Sequence, residues 1–105
     1  LVGILSQFIP TTSIDVRPLP VSLEGLNCKQ GSITDLSFQS NSIEFLTSMC
    51  VVEHIGLARY GDELDPLGSV KAFREVTRVI RSDGHFIFSV PLSHMAGSSA
   101  NNRYY

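Results

Sequence analysis

The sequence predicts an α/β fold with a mostly parallel sheet flanked by helices, and three observations carry that expectation. Short strand-like apolar runs alternate with helical periodicity along the chain. Two of these runs, Ile43 to Val52 and His85 to Val90, lack the in–out alternation of a strand with one wet face, which suits strands covered on both sides. Both also stop abruptly in polar or turn residues, and in open α/β sheets the strand ends are where ligands sit.

The elements follow in order. Leu1 to Ile9 has apolar residues at 1, 2, 4, 5, 8 and 9, a helix-like spacing ended by Pro10. Thr12 to Val16 is a short β-prone run, closed by Arg17-Pro18-Leu19-Pro20, whose prolines forbid a central strand from continuing. Val21 to Cys28 is weak, and a short strand is expected near Ser32-Ile33 or just before it. Leu36-Ser37-Phe38 leads into a turn over Gln39 to Ser42. Ile43 to Val52 reads as a strand centred on Phe45 and Leu46. A long polar, glycine-containing loop covers Gly56 to Ser69. Ser69 then caps a helix running to Ile80, with Val70, Phe73, Val76, Thr77 and Ile80 on its inner face. Ser82-Asp83-Gly84 ends that helix in a turn where Gly84 takes positive φ. His85 to Val90 is a strand stopped by Pro91. The Ser-, Gly- and Asn-rich segment 92–105 reads as a loop or a frayed end, which makes 1–91 the core of a single domain spanning 1–105.

Bulk composition narrows the function classes. With 43% hydrophobic and 17% charged residues and a mean hydropathy of +0.14, the chain folds rather than staying disordered. A net charge of -2 and a pI near 5.8 supply no basic field for nucleic acid or anionic lipid. Arg74, Arg78 and Arg81 fall at helical spacing and read as a solvated helix face. Cys28 and Cys50 stand in unrelated contexts without metal-ligand spacing, so reduced thiols and a cytoplasmic location are expected. No apolar run approaches the roughly 18 residues of a membrane span. Leu1 opens neither with Met nor with a charged leader, and the start reads as an internal piece of something longer.

The strand ending Ile14-Asp15, the run GSITDLSFQSNSIEFLTSMCVVEHI from Gly31 to Ile55, and FREVTRVIRSDGHFIFSVP from Phe73 to Pro91 stand in that order along the chain. Together these three stretches resemble the middle of a class I S-adenosylmethionine-dependent methyltransferase of the small-molecule type. Leu36-Ser37-Phe38, Ile43-Glu44, Glu53-His54 and Arg78 to Gly84 hold the family's motif places in order. The resemblance implies a partial Rossmann-like three-layer α/β/α sandwich that lacks its first and last strands. It implies S-adenosylmethionine as cofactor, with Asp15 on the ribose, Ser32 and Ile33 at the adenine edge, and Met49 and Cys50 beside the cofactor where the fourth strand ends. The usual adenine-side carboxylate is Ser32 here, and Asp35 is a candidate replacement.

Glu53 and His54 are the catalytic candidates the resemblance implies, facing the cleft between cofactor and acceptor. Methyl transfer from a sulfonium needs alignment and a dry site, and a base only where the acceptor must lose a proton, for which imidazole is suited. The alternative is that the pair merely begins the next element. Arg59, Tyr60 and Asp62 lie in the long loop and are the substrate-binding candidates, able to hold a small or sugar-like acceptor by fork hydrogen bonds and stacking; a solvated loop is the competing reading. A metal site from His54, Asp62 and Asp65 lacks ligand spacing, and none is expected. The glycine-rich turn that cradles the methionine end of the cofactor is missing, so the chain by itself is expected to bind cofactor weakly or not at all and to be inactive. Exposed sheet edges would then favour self-association. A non-catalytic methyltransferase-like module serving in assembly is the alternative function. A nicotinamide-binding domain is disfavoured by the lack of G-x-G-x-x-G.

Overall fold

The computed structural model describes residues 2–17, 22–49, 51–57, 64–92, 97–98 and 103–104. It is a mixed α/β structure whose two longer strand pairs are both parallel. The chain divides into two compact units, Leu1–Ser32 and Ile33–Tyr105.

The first unit holds helix α1 (Val2–Leu5) and strands β1 (Thr11–Asp15) and β2 (Leu26–Gln30), paired from Thr11↔Leu26 to Asp15↔Gln30. The helix is shorter than the apolar spacing predicts. Ser6 turns its hydroxyl onto the Gly3 carbonyl at 2.9 Å, and tight turns through Phe8 and Ile9 replace further helix. This is the competition for backbone groups that serine side chains offer, and Pro10 disfavours helix at Ile9. Gly25 starts β2 with φ +79°, its carbonyl accepting the Thr11 amide at 2.8 Å. A side chain there would stand 2.6 Å from the Ser6 carbonyl oxygen, so only glycine serves. The strand expected near Ser32 is thus β2, ending two residues earlier.

The second unit is built on β3 (Ile43–Met49), α2 (Gly68–Val79) and β4 (Ile80–Ser89). β3 stops at Met49 rather than continuing to Val52, and Val52–His54 forms a 3-10 turn. β3 and β4 pair in parallel, Phe45 opposite His85 and Thr47 opposite Ile87. Alternation along both strands puts Leu46, Ser48, Phe86 and Phe88 on one face. That face meets α2: the Phe73 ring stands edge-on to Phe86 and Phe88 at 6.1 and 5.2 Å. The opposite face carries Phe45, Met49 and Ile87, which are 50%, 42% and 46% exposed. The strands were expected to be covered on both sides; among the described residues a helix covers only one.

The inner face of α2 also differs from the expected one. Ala72, Val76 and Val79 are buried, while Val70 and Thr77 face out. Small residues, Gly68, Ser69 and Ala72, are buried and let this helix approach closely, which the spacing of its larger apolar residues does not show. Its N-cap is Leu67, and no side chain caps it; Ser69 is engaged elsewhere. Asp65 ties the first turn instead, accepting the Leu67 amide at 2.9 Å on Oδ1 and pairing Oδ2 with Lys71.

Ser82-Asp83-Gly84 does not form the helix-ending turn with positive φ. Helix gives way to strand directly at Ile80, and the register slips between Ile43 and Phe45, so residues 81–84 bulge from the pair. Gly84 is needed for close approach: a Cβ would lie 2.7 Å from the Glu44 carbonyl oxygen and 3.0 Å from that of Ile43.

Arg78 is not part of a solvated face. Its guanidinium donates to the carbonyls of Leu36 (2.8 Å) and Phe38 (2.9 Å) and pairs with Glu75, whose Oε2 accepts the Leu36 amide at 2.7 Å. The two side chains clamp the Leu36–Ser40 loop to α2. The Asn41 turn closes it, with Asn41 at φ +57° and its amide bonded to the Arg78 carbonyl at 2.8 Å. The Arg78 hydrogen bond holds the Glu75 carboxyl below its ordinary value, against the opposing effect of burial, with the Leu36 amide adding to it. The folded state therefore binds fewer protons here than the unfolded chain. The clamp's contribution is complete above the ordinary glutamate value of about 4.3 and is lost as pH falls through the lowered folded value. Urea titrations from pH 6 downward are expected to show this acid loss in the wild type and a reduced slope in Glu75→Gln; identical slopes would contradict the clamp.

Within segment 92–105, Gly97–Ser98 and Arg103–Tyr104 form a short antiparallel pair, β5 and β6, where the sequence reads as loop. No helix among the described residues is long and apolar enough to cross a membrane.

Candidate functional site

In the first unit the candidates stand at the carboxyl ends of the parallel pair. Asp15 is the last residue of β1, and its carbonyl accepts the Gly31 amide at 2.9 Å. That bond draws Gly31 and Ser32 alongside it just beyond β2. The Asp15 carboxylate receives the Arg17 backbone amide at 2.9 Å and its Nε at 3.4 Å, both on Oδ1. The Arg17 amide is the main cause that holds the Asp15 carboxyl below the ordinary carboxylate value; burial opposes it and the guanidinium adds to it. An anionic acceptor thus lies beside a half-buried hydroxyl residue at a strand-end edge. The same carboxylate caps the local turn through the Arg17 amide.

In the second unit Ile33 is half-buried, and Met49 closes β3 with 42% exposure. Cys50 lies outside the described residues. The 3-10 turn then carries the acid–imidazole pair. Val52 and Glu53 are buried, at 1% and 3% exposure. Glu53 Oε2 has no hydrogen-bond partner among the described residues, and His54 Nε2 lies 3.9 Å from Glu53 Oε1. Leaving a buried carboxylate oxygen unmatched is costly, which marks such an atom as a place for a ligand or ordered water donor. Ser48, buried on the α2 face of β3, has an equally unmatched hydroxyl.

The chain leaves this turn through Gly56 (φ +78°), and a Leu57–Leu64 bridge and the Asp65 amide on the Gly56 carbonyl at 2.8 Å bring together the residues on either side of 58–63. Arg59, Tyr60 and Asp62 fall between these ends and lie outside the described residues. Asp65, considered as a metal ligand, is committed to Leu67 and Lys71. Among the described residues no group of His, Cys, Asp and Glu is arranged to hold a metal ion.

Sequence reasoning missed two features of this unit: the Glu75–Arg78 clamp on the Leu36–Ser40 loop, and the Ser69 bond to the Val52 carbonyl. The Glu-x-x-Arg spacing was the available signal for the first, because residues three apart on a helix are neighbours. A family model described as "Caenorhabditis protein of unknown function, DUF268" matches residues 31–105. No curated protein and no solved structure matches the chain.

Proposed function

The chain belongs to the DUF268 family, and for it we propose an S-adenosylmethionine-dependent methyltransferase role, of Rossmann-like class I type, with a small or sugar-like acceptor. The observation that carries the reading is Glu53, a buried carboxylate with an unmatched oxygen, next to an imidazole at the end of a parallel strand. Parallel-strand ends are the ligand-binding edge of such sheets.

The donor set fits the cofactor's nucleoside half. Asp15 is an ionised acceptor suited to ribose hydroxyls, and the neighbouring Gly31–Ser32 segment offers a hydroxyl and backbone groups for adenine. The resemblance assigns Ile33, Met49 and Cys50 to the cofactor as well, and all three belong to the second unit. The bound cofactor supplies an electrophilic methyl group on a sulfonium with a good leaving group. The chain's own residues then need only hold and dry the acceptor. Glu53 Oε2 accepts a hydrogen bond from the acceptor's hydroxyl or amine, and His54 takes the proton where one must leave. Arg59, Tyr60 and Asp62, the acceptor-binding candidates by sequence, follow this pair between Leu57 and Leu64.

Calorimetric titration with S-adenosylhomocysteine tests the reading. Weak, saturable heat is expected, abolished by Asp15→Ala and kept by Glu53→Gln, because the latter touches only the acceptor side. No heat at millimolar ligand would favour the non-catalytic module instead.

One observation favours a second reading, a methyltransferase-like module that acts in assembly. Phe45, Met49 and Ile87 form an exposed apolar sheet face, and such faces mark interaction surfaces. Sedimentation equilibrium separates the two: self-association without cofactor binding belongs to the module.

A further inference from the structure

The 3-10 turn is bracketed by two residues that no reading of the site has used. Ser69 Oγ donates to the Val52 carbonyl at 3.2 Å, in a buried setting, and the same carbonyl accepts the Ile55 amide at 3.3 Å. Gly68 lies against the other end of the turn. A Cβ built on it would stand 2.9 Å from both the Ile55 carbonyl oxygen and Ile55 Cγ2, and 3.0 Å from the Ile55 carbonyl carbon. Val52 immediately precedes Glu53 and Ile55 immediately follows His54. The first turn of α2 thus grips the backbone on both sides of the pair and on neither member of it.

We infer that Gly68 and Ser69 are positioning residues for Glu53 and His54. The inference rests on the reading of that pair as the acceptor side of the site. Short 3-10 turns are weakly held by their own hydrogen bonds, and this one has no side-chain cap. Its orientation is set from outside. Ser69 fixes the Val52 carbonyl, and Gly68 sets how closely α2 approaches. Any added carbon meets backbone carbonyl atoms, which cannot swing aside like the end of a flexible side chain. A displacement of the turn moves the Glu53 carboxylate and the His54 ring together, and displacements near 1 Å suffice to degrade alignment-dependent chemistry. The rest of the helix's first turn is held independently, by Asp65 on the Leu67 amide and on Lys71. Removing the Ser69 hydroxyl should therefore free the turn without unwinding α2.

The test reads the imidazole directly and needs no cofactor. Diethyl pyrocarbonate is applied to the whole chain, and carbethoxylation of each histidine is followed by mass spectrometry, with exposed His85 on β4 as internal reference. Ser69→Ala and Gly68→Ala are expected to raise the His54 rate several-fold relative to His85, while Ser69→Thr keeps the wild-type ratio through its retained hydroxyl. An unchanged ratio in Ser69→Ala overturns the inference, and so does an equal rise at both histidines, which would mean general loosening. If Gly68→Ala does not fold, the Ser69 pair decides alone. Failure of the methyltransferase reading is seen separately, as absence of S-adenosylhomocysteine binding by the wild type, and leaves these ratios untouched.

Discussion

Gly84→Ala is expected to lower the stability of the Ile33–Tyr105 unit by about 2–3 kcal/mol, within the range for forced overpacking. The added carbon would meet the Glu44, Ile43 and Arg81 carbonyl oxygens at 2.7, 3.0 and 3.1 Å. All three are backbone atoms of the strand pair itself, so relief requires β3 and β4 to move apart at the bulge. Phe86 and Phe88, stacked 5.1 Å apart and met edge-on by Phe73 of α2, are carried on the same β4. The loss should appear as a fall in Tm of about 10 °C or more, with weakened near-ultraviolet aromatic dichroism. Ser82→Ala, at an exposed position in the same bulge, serves as control and should change little. A Gly84→Ala protein with wild-type Tm would mean that β4 is not fitted to β3 as described.

The second large effect is expected at Arg78. Its guanidinium bonds two carbonyls of the Leu36–Ser40 loop and the Glu75 carboxylate at once. Arg78→Ala leaves those acceptors without their donor and Glu75 without its counter-charge. Hydrogen exchange at the Leu36 amide, which is bonded to Glu75, should rise towards that of an exposed amide. Arg78→Lys should not restore it, because a single ammonium cannot reproduce the planar fork. Arg74→Ala, on the outward side of the same helix, is expected to leave the exchange unchanged. Full protection of Leu36 in Arg78→Ala would show the clamp to be incidental.

Several parts of this architecture were legible in the residues. Pro10, the turn over Gln39–Ser42 and the apolar centres of β3 and β4 mark local boundaries, and the parallel pairing of β3 with β4 follows from a helix between them. The same kind of reasoning placed Glu53 and His54 just beyond a strand end. What escaped it depends on partners distant in sequence. Arg78 looks like any solvated helix cation until Leu36 and Phe38, forty-odd positions away, come under it. Gly84 looks like a turn glycine because sequence shows flexibility but not the β3 carbonyls that crowd it. Ser69 looks like a helix cap, and its hydroxyl instead reaches Val52. On α2 the spacing of Val70, Phe73, Val76, Thr77 and Ile80 suggested the inner face; Val76 is buried there, but Val70 and Thr77 face out and close approach selects the small Ala72 and Gly68. In each case a local propensity was overridden by a tertiary contact.

The idea on which the functional account turns is that a nucleoside docks where β1 and β2 end. An amide-resolved NMR titration with S-adenosylhomocysteine tests it most directly. The account expects the amides of Asp15, Gly31 and Ser32 to shift along one saturation curve, and that curve to vanish in Asp15→Ala. Shifts confined to the opposite strand ends at Thr11 and Leu26, or none in either unit at saturating ligand, would contradict it.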